Sequence, residues 1–465
     1  MPEERNVIIP VEENVNAPGQ DHVNVPGESF VKMPYSISAA ELAALGKKQI
    51  PEELVSGQHL IYSSPATLAF NSPGAQGFGV KRAALAIPGS VLLLVAPGCC
   101  GRNTTILSEL PGYENRFFYL LMDETDIVTG RHLKKIPDAV AEVCDSLEQR
   151  PSVVMICITC VDALLGTDME RVCRKASKKA GLPVLPSYMY ALTREGRKPP
   201  MVHVRQSIYS LLEKRKRRGS SVNILGYFAP LIDDCEIYDL LRQAGVKTIR
   251  EISRCKDYQE YLDMAEANFN LVLNPEARFA ASDLQKRLGI PSIELARLYR
   301  IDKIKKQYSL FAAAIGAELN DDMYYEQARE VIDQFKKKYP KLTFSVGEGS
   351  NANAFELSAA LLEYGFSVAE IFADPQPGDF VYISWIADHS PDTRIYSNLE
   401  PTMLYYDCSE ADSDISIGKD AGYYHPDTVN LMWSDDIVPF GYRGVIHFFN
   451  ECDRVLSEAA KEGCL

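Results

Sequence analysis

The sequence predicts an α/β protein built from three doubly wound, mainly parallel sheets. Three observations lead there. From about Ser90 onward, short β-branched runs alternate with helical patterns. Helical patterns end in Gly and turn straight into an apolar run at Ala180-Gly181-Leu182-Pro183-Val184, Ala244-Gly245-Val246, Leu288-Gly289-Ile290-Pro291 and Tyr364-Gly365-Phe366-Ser367-Val368. Gly just past a helix end takes the left-handed conformation that satisfies the last carbonyls, so each junction reads as helix, cap, strand. Finally, the apolar runs fall into three sets, and repeated strand-helix-strand units imply parallel sheets covered on both faces.

The chain divides accordingly. Residues 1–35 are read as a flexible arm, because 1–20 is polar and acidic with no basic-then-apolar pattern. Residues 36–218 form a first α/β domain with runs at 91–95, 117–121, 153–158 and 182–185. An amphipathic helix at 138–148 puts Val140, Val143, Cys144 and Leu147 on one face. Residues 219–338 form a second domain with runs at 222–228, 246–249, 271–273 and 292–295, followed by a long helical stretch at 302–338. Residues 339–465 form a third, with runs at 342–346, 368–372, 380–384 and 415–417 and a C-terminal helix. The basic run Lys214-Arg215-Lys216-Arg217-Arg218 separates the first two domains and is read as a solvated helix end, where cations are favourable.

Composition narrows the function. The 465 residues, 46% hydrophobic and 24% charged, are those of an ordinary globular protein of several domains. With 49 basic and 63 acidic side chains the net charge is −14, which argues against an extended nucleic-acid surface and for small-molecule or protein partners. The longest apolar run, 91–95 with its neighbours, is too short to cross a bilayer, so the expected location is the cytoplasm. There, 11 cysteines imply metal ligation or redox chemistry rather than a disulfide framework.

Ligands of open parallel sheets bind beyond the carboxyl ends of the strands. Two cysteine sites qualify: Cys99-Cys100, after the 91–95 run, and Cys160, after the 153–158 run. A thiolate at a turn that opens a helix gains from backbone N–H groups and the helix dipole, which suits it to soft iron. Buried, inert thiols are the bland alternative. Cys157-Ile158-Thr159-Cys160 is also a CxxC, but Cys157 falls inside an apolar strand run and is expected to be a packing residue.

The order of several motifs resembles the nitrogenase component 1 family. They are Asp123-Glu124-Thr125-Asp126-Ile127-Val128-Thr129-Gly130, Leu133-Lys134-Lys135-Ile136, Ile158-Thr159-Cys160 with Leu165-Gly166-Thr167-Asp168, Pro97-Gly98-Cys99-Cys100 downstream of Gly74-Ala75, Val222-Asn223-Ile224-Leu225-Gly226, Gly289-Ile290-Pro291 and the terminal Gly441-Tyr442-Arg443-Gly444. The resemblance runs from about residue 60 to 455. It implies three Rossmann-like domains, an oxidoreductase active only with partner subunits, and an iron-sulfur cluster shared with an identical or homologous component 1 subunit. A separate ATP-dependent iron-sulfur reductase would supply low-potential electrons for a small-molecule substrate. No GxxxxGK[ST] loop occurs in this chain, which is therefore not expected to hydrolyse ATP. By the family pattern one of Cys99 or Cys100, together with Cys160, ligates the cluster, and Phe70 stands where a third cysteine would be. Two thiolates per chain suffice for a 4Fe-4S cubane across a dimer and leave an 8Fe-7S cluster under-ligated. Asn274 and Phe440 occupy the positions of the cysteine and histidine that anchor an iron-molybdenum cofactor, so no ligands for that cofactor are found.

Two other readings are carried. Gly347-Glu348-Gly349-Ser350-Asn351-Ala352, with Glu370 after the next run, has the spacing of a dinucleotide site, although a structural tight turn satisfies the same pattern. A scaffold or maturation homologue that kept the fold and lost the chemistry would also carry Phe70, Asn274 and Phe440. Among the seven histidines no HxxxH or HExxH spacing occurs; His389 and His425 fall in third-domain loops. Arg102 lies beside the first cysteine loop.

Overall fold

The computed structural model describes residues 33–55, 79–98, 107–189, 198–410, 412–434 and 438–462. Its strands form three sheets, as the junction pattern predicts. The short β1 (Ile37–Ser38) belongs, unexpectedly, to the last of them. The first sheet has the order β3-β2-β4-β5, with β2 (Val91–Ala96), β3 (Phe117–Leu121), β4 (Val154–Ile158) and β5 (Val184–Tyr188) all parallel. Val91, Leu93 and Val95 of β2 face one core, and Leu92, Leu94 and Ala96 face another. Burial on both faces is why this strand reads as an unbroken apolar run.

The second sheet, β7-β6-β8-β9, consists of β6 (Ser221–Leu225), β7 (Thr248–Glu251), β8 (Phe269–Val272) and β9 (Ser292–Glu294), again parallel. Its residues divide between two cores. Leu225, Val272 and Ile290 pack with the first sheet, whereas Val222, Ile224 and Leu271 pack with the third. The middle domain thus ties the other two together through continuous apolar contact.

The third sheet runs β1-β12-β11-β10-β13-β14, with β10 (Thr343–Gly347), β11 (Ser367–Phe372), β12 (Arg394–Tyr396), β13 (Ile415–Ile417) and β14 (Val429–Leu431). Two expectations need correction here. Residues 36–45 do not open the first domain: β1 pairs antiparallel with β12, and the helix Ala39–Leu45, capped by Ser38, lies against the helix Phe380–His389. The first described strand therefore belongs to the third sheet, where β1 pairs along the edge of β12. Residues 380–384 are helical rather than a strand. Phe380, Ile383 and Ile386 are buried while Val381 is exposed, a three-residue period that aromatic and β-branched composition obscures.

The 302–338 stretch is two helices, Ile301–Ile315 and Asp322–Lys338, broken where Gly316 adopts φ +66. No helix among the described residues is long and apolar enough to cross a membrane.

Candidate functional site

The carboxyl edge of the first sheet is set by the β2–β4 ladder. Val95 lies opposite Ile158, so the two strands finish at nearly the same level. β4 continues through Thr159 into Cys160, the first residue of the helix Cys160–Leu164. β2 ends at Ala96 and leads to Pro97 and Gly98; Cys99, Cys100, Arg102 and Phe70 lie outside the described residues. Leu121, at the end of edge strand β3, reaches this corner, since a methyl group on Gly98 would sit 3.9 Å from its Cδ1.

Six of the other thiols, at positions 144, 157, 173, 235, 255 and 452, behave as packing. Cys157 is fully buried within β4, as the sequence predicts, which leaves no thioredoxin-like dithiol at a helix start. Burial raises Cys144, pushes Cys173 and Cys255 up to about 12 and drives Cys235 and Cys452 well above the ordinary thiol value, so these are poor nucleophiles and poor ligands. Among the described residues no group of three His, Cys, Asp or Glu is arranged to hold a metal ion.

The short cysteine helix is held from below. Asp162, buried two residues into it, accepts a hydrogen bond from the Thr167 hydroxyl at 3.0 Å, and its Oδ1 lies 2.9 Å from His132 Nε2. His132 is itself buried, and its Nδ1 donates to the Asp126 carbonyl at 3.0 Å. The Asp126 carboxyl is held well below the usual range by Lys135 and Arg131, which bond it at 2.7 and 2.8 Å. The buried hydroxyls of Thr159 and Ser187, beside this edge, have no hydrogen-bond partner. Nothing in the sequence joins His132 to Asp162: they are 30 residues apart, and no spacing rule links two helix starts at that distance.

The positions expected to matter on the other sheets are committed to structure. Asn274 follows β8 and accepts the Glu276 N–H at 3.0 Å, capping a short turn. Its backbone closes on Gly226, where a methyl group would lie 2.7 Å from Asn274 N. Phe440 is buried, and its carbonyl accepts the Gly444 N–H at 3.0 Å. The Gly347-Glu348-Gly349 turn does bind an anion through its N–H groups, but that anion is the chain's own Asp420. Glu348 and Gly349 donate to the Asp420 carboxylate at 2.8 and 3.1 Å, and a methyl group on Gly347 would meet its Oδ1 at 1.9 Å. The place a pyrophosphate would take is filled.

Glu370, the supposed ribose partner, is buried and bonded to His425 Nε2 and the Tyr406 hydroxyl, each at 2.7 Å. His389 stacks on Trp385 at 3.8 Å and bonds its carbonyl. The basic linker is latched to the second domain by the pairs Arg215–Asp263 and Arg218–Glu266, at 2.5 and 2.9 Å.

Comparison with known proteins settles the kinship. The sequence model of the nitrogenase component 1 type oxidoreductases matches residues 75–457. The chain belongs to that family. Its relatives include the nitrogenase iron-molybdenum cofactor biosynthesis protein NifE of Methanococcus maripaludis, 25% identical over 259 residues, 53% of each chain. The NifE of Sinorhizobium fredii is 22% identical over 426 residues, 84% of this chain and 83% of that one. The match thus spans about half the length of the first relative and most of the second. A solved structure titled "Nitrogenase Cp1 at pH 6.5" superposes with a TM-score of 0.67 at 17% identity, covering 89% of this chain and 97% of that one. This component 1 homologue therefore shares the family's three-sheet α/β architecture.

Proposed function

We propose that this chain is a component 1-like subunit that holds half of a 4Fe-4S cluster against an identical or homologous subunit, and that it serves in building or carrying a metal-sulfur cofactor rather than in turning over a substrate. Cys160 and one of Cys99 or Cys100 would supply its two thiolates, the soft donors that iron-sulfur clusters take. The partnerless Thr159 and Ser187 hydroxyls fit such a group, being buried donors beside the cysteine edge that a sulfide-rich anion would accept from. When bound, the cluster supplies a one-electron relay, with the ATP-dependent iron-sulfur reductase as its donor.

The observation that carries the maturation reading is the commitment of Asn274 and Phe440 to a turn cap and an apolar core. A cofactor that is to be handed on is better served by a site without strong fixed ligands, because affinity is set mostly by the off-rate. The names of the NifE relatives, cofactor biosynthesis proteins, point the same way.

Anaerobic purification with iron and sulfide analysis tests this. About four irons per pair of chains are expected. Cys160→Ala should remove most of that iron with the circular dichroism spectrum unchanged; retained iron would sink the assignment. Sustained reduction of a small-molecule substrate by the pair, with the reductase present, would favour an enzyme over a maturation protein.

A further inference from the structure

We infer that His132 is a positioning residue for Cys160, acting through Asp162. The inference rests on the cluster reading only for its consequence, the geometry of the cluster; the mechanical link stands on the structure alone. The helix Cys160–Leu164 has a single full turn, too short to hold its own orientation. What fixes it lies beneath. Asp162 Oδ1 takes the Thr167 hydroxyl and faces His132 Nε2, and the Thr167 N–H returns to the Asp162 carbonyl at 3.1 Å, so the turn is closed on one carboxylate.

His132 brings that carboxylate to a rigid base. It is the first residue of the helix His132–Ser146, whose Ile136, Val140 and Val143 are packed in the core on that face of the first sheet. Its second nitrogen is bound to the Asp126 carbonyl, at the N-terminal turn of the helix Glu124–Thr129, which Asp123 caps. Asp126 is in turn pinned by Arg131 and Lys135. The chain of contacts runs from two surface cations, through a buried backbone carbonyl and an imidazole, to the residue two beyond Cys160. Backbone on so short a helix keeps one orientation only if something of this kind braces it.

Hydrogen exchange on the metal-free protein tests the link, and electron paramagnetic resonance of the cluster-loaded protein tests its consequence. His132→Ala should raise exchange of amides 160–167 by tenfold or more while leaving β10 and β13 unchanged. His425→Ala, an equivalent lesion in a buried histidine-carboxylate pair of the third sheet, should do the reverse. His132→Ala should also change the g-values of the reduced cluster, and His132→Gln, whose amide nitrogen can donate to the Asp162 carboxylate in place of Nε2, should bring them back toward wild type. If His132→Ala does not fold, Asp162→Asn carries the same comparison with no change in side-chain size.

Unchanged exchange at 160–167, or exchange raised equally by both lesions, overturns the inference. So does altered exchange combined with an unaltered spectrum, which would mean that the strut does not reach the thiol. A wild-type protein without iron defeats the cluster reading, and the exchange result still decides the link.

Discussion

Glu356 shows what a single buried carboxyl does here. It is 1% exposed near the start of the helix Ala354–Glu363, and it accepts the Tyr299 N–H at 2.8 Å and the Arg300 N–H at 3.3 Å, tying the end of the second domain to the third. Burial is the largest influence on it and raises its pKa from 4.5 to about 7, against the bonds and the Arg300 charge. The native state therefore binds this proton more tightly than the unfolded chain does, by about 3 kcal/mol. That contribution is complete below the unfolded value and is lost as pH rises through about 7, so stability should fall with pH across that window. Glu356→Gln, which does not ionise, should flatten this part of the profile. The difference between wild-type and variant melting temperatures, measured from pH 5 to 8, reads it; parallel profiles would reject the assignment. None of this was legible in the sequence, where Glu356 is one more acidic residue in a first helical turn. Cys157 was legible, because an apolar strand run leaves a thiol nowhere to point but into a core.

Among elements, the terminal helix Gly441–Glu462 explains a motif that was recognised without a reason. The Gly441-Tyr442-Arg443-Gly444 stretch receives the buried Glu236 carboxylate, which accepts from the Tyr442 and Arg443 N–H groups at 2.6 and 3.1 Å and from the Tyr308 hydroxyl at 2.7 Å. The helix dipole favours an anion there. Gly441 is at φ +65, and a methyl group on it would stand 1.9 Å from Glu236 Oε1. Gly441→Ala should therefore destabilise the protein by about 2 kcal/mol or more, from left-handed strain and the displaced carboxylate together. A chemical denaturation midpoint no lower than wild type would show that the glycine is dispensable. Strand and helix order was readable wherever a Gly cap separated the two periods. Reading failed at 380–384, where only the burial of every third residue shows a helix, and at β1, whose two residues carry no periodicity.

For the whole molecule, the question is what lies over the cysteine edge. Leu121, Val128, Leu164 and Leu165 are 57, 85, 67 and 49% exposed, at the end of β3, on the helix Glu124–Thr129, on the cysteine helix and just after it. Isolated exposed apolar side chains mean little, but several around one edge make it the natural place to test for the subunit contact proposed above. Three sheets and their sequence order were legible from the repeated junctions; this rim was not, because exposure of an apolar residue is a property of the folded surface and leaves no mark on periodicity. If two subunits meet there around a shared cluster, burying a charge at the centre should separate them. Val128→Asp combined with Leu164→Asp is expected to convert a dimer into a monomer in sedimentation, with the iron lost at the same time, since under the proposed ligand set each chain alone offers too few thiolates. A dimer of unchanged mass in that variant would place the interface elsewhere. A monomer that kept its full iron would mean that one chain holds the cluster unaided, and the shared-ligand arrangement would have to be abandoned.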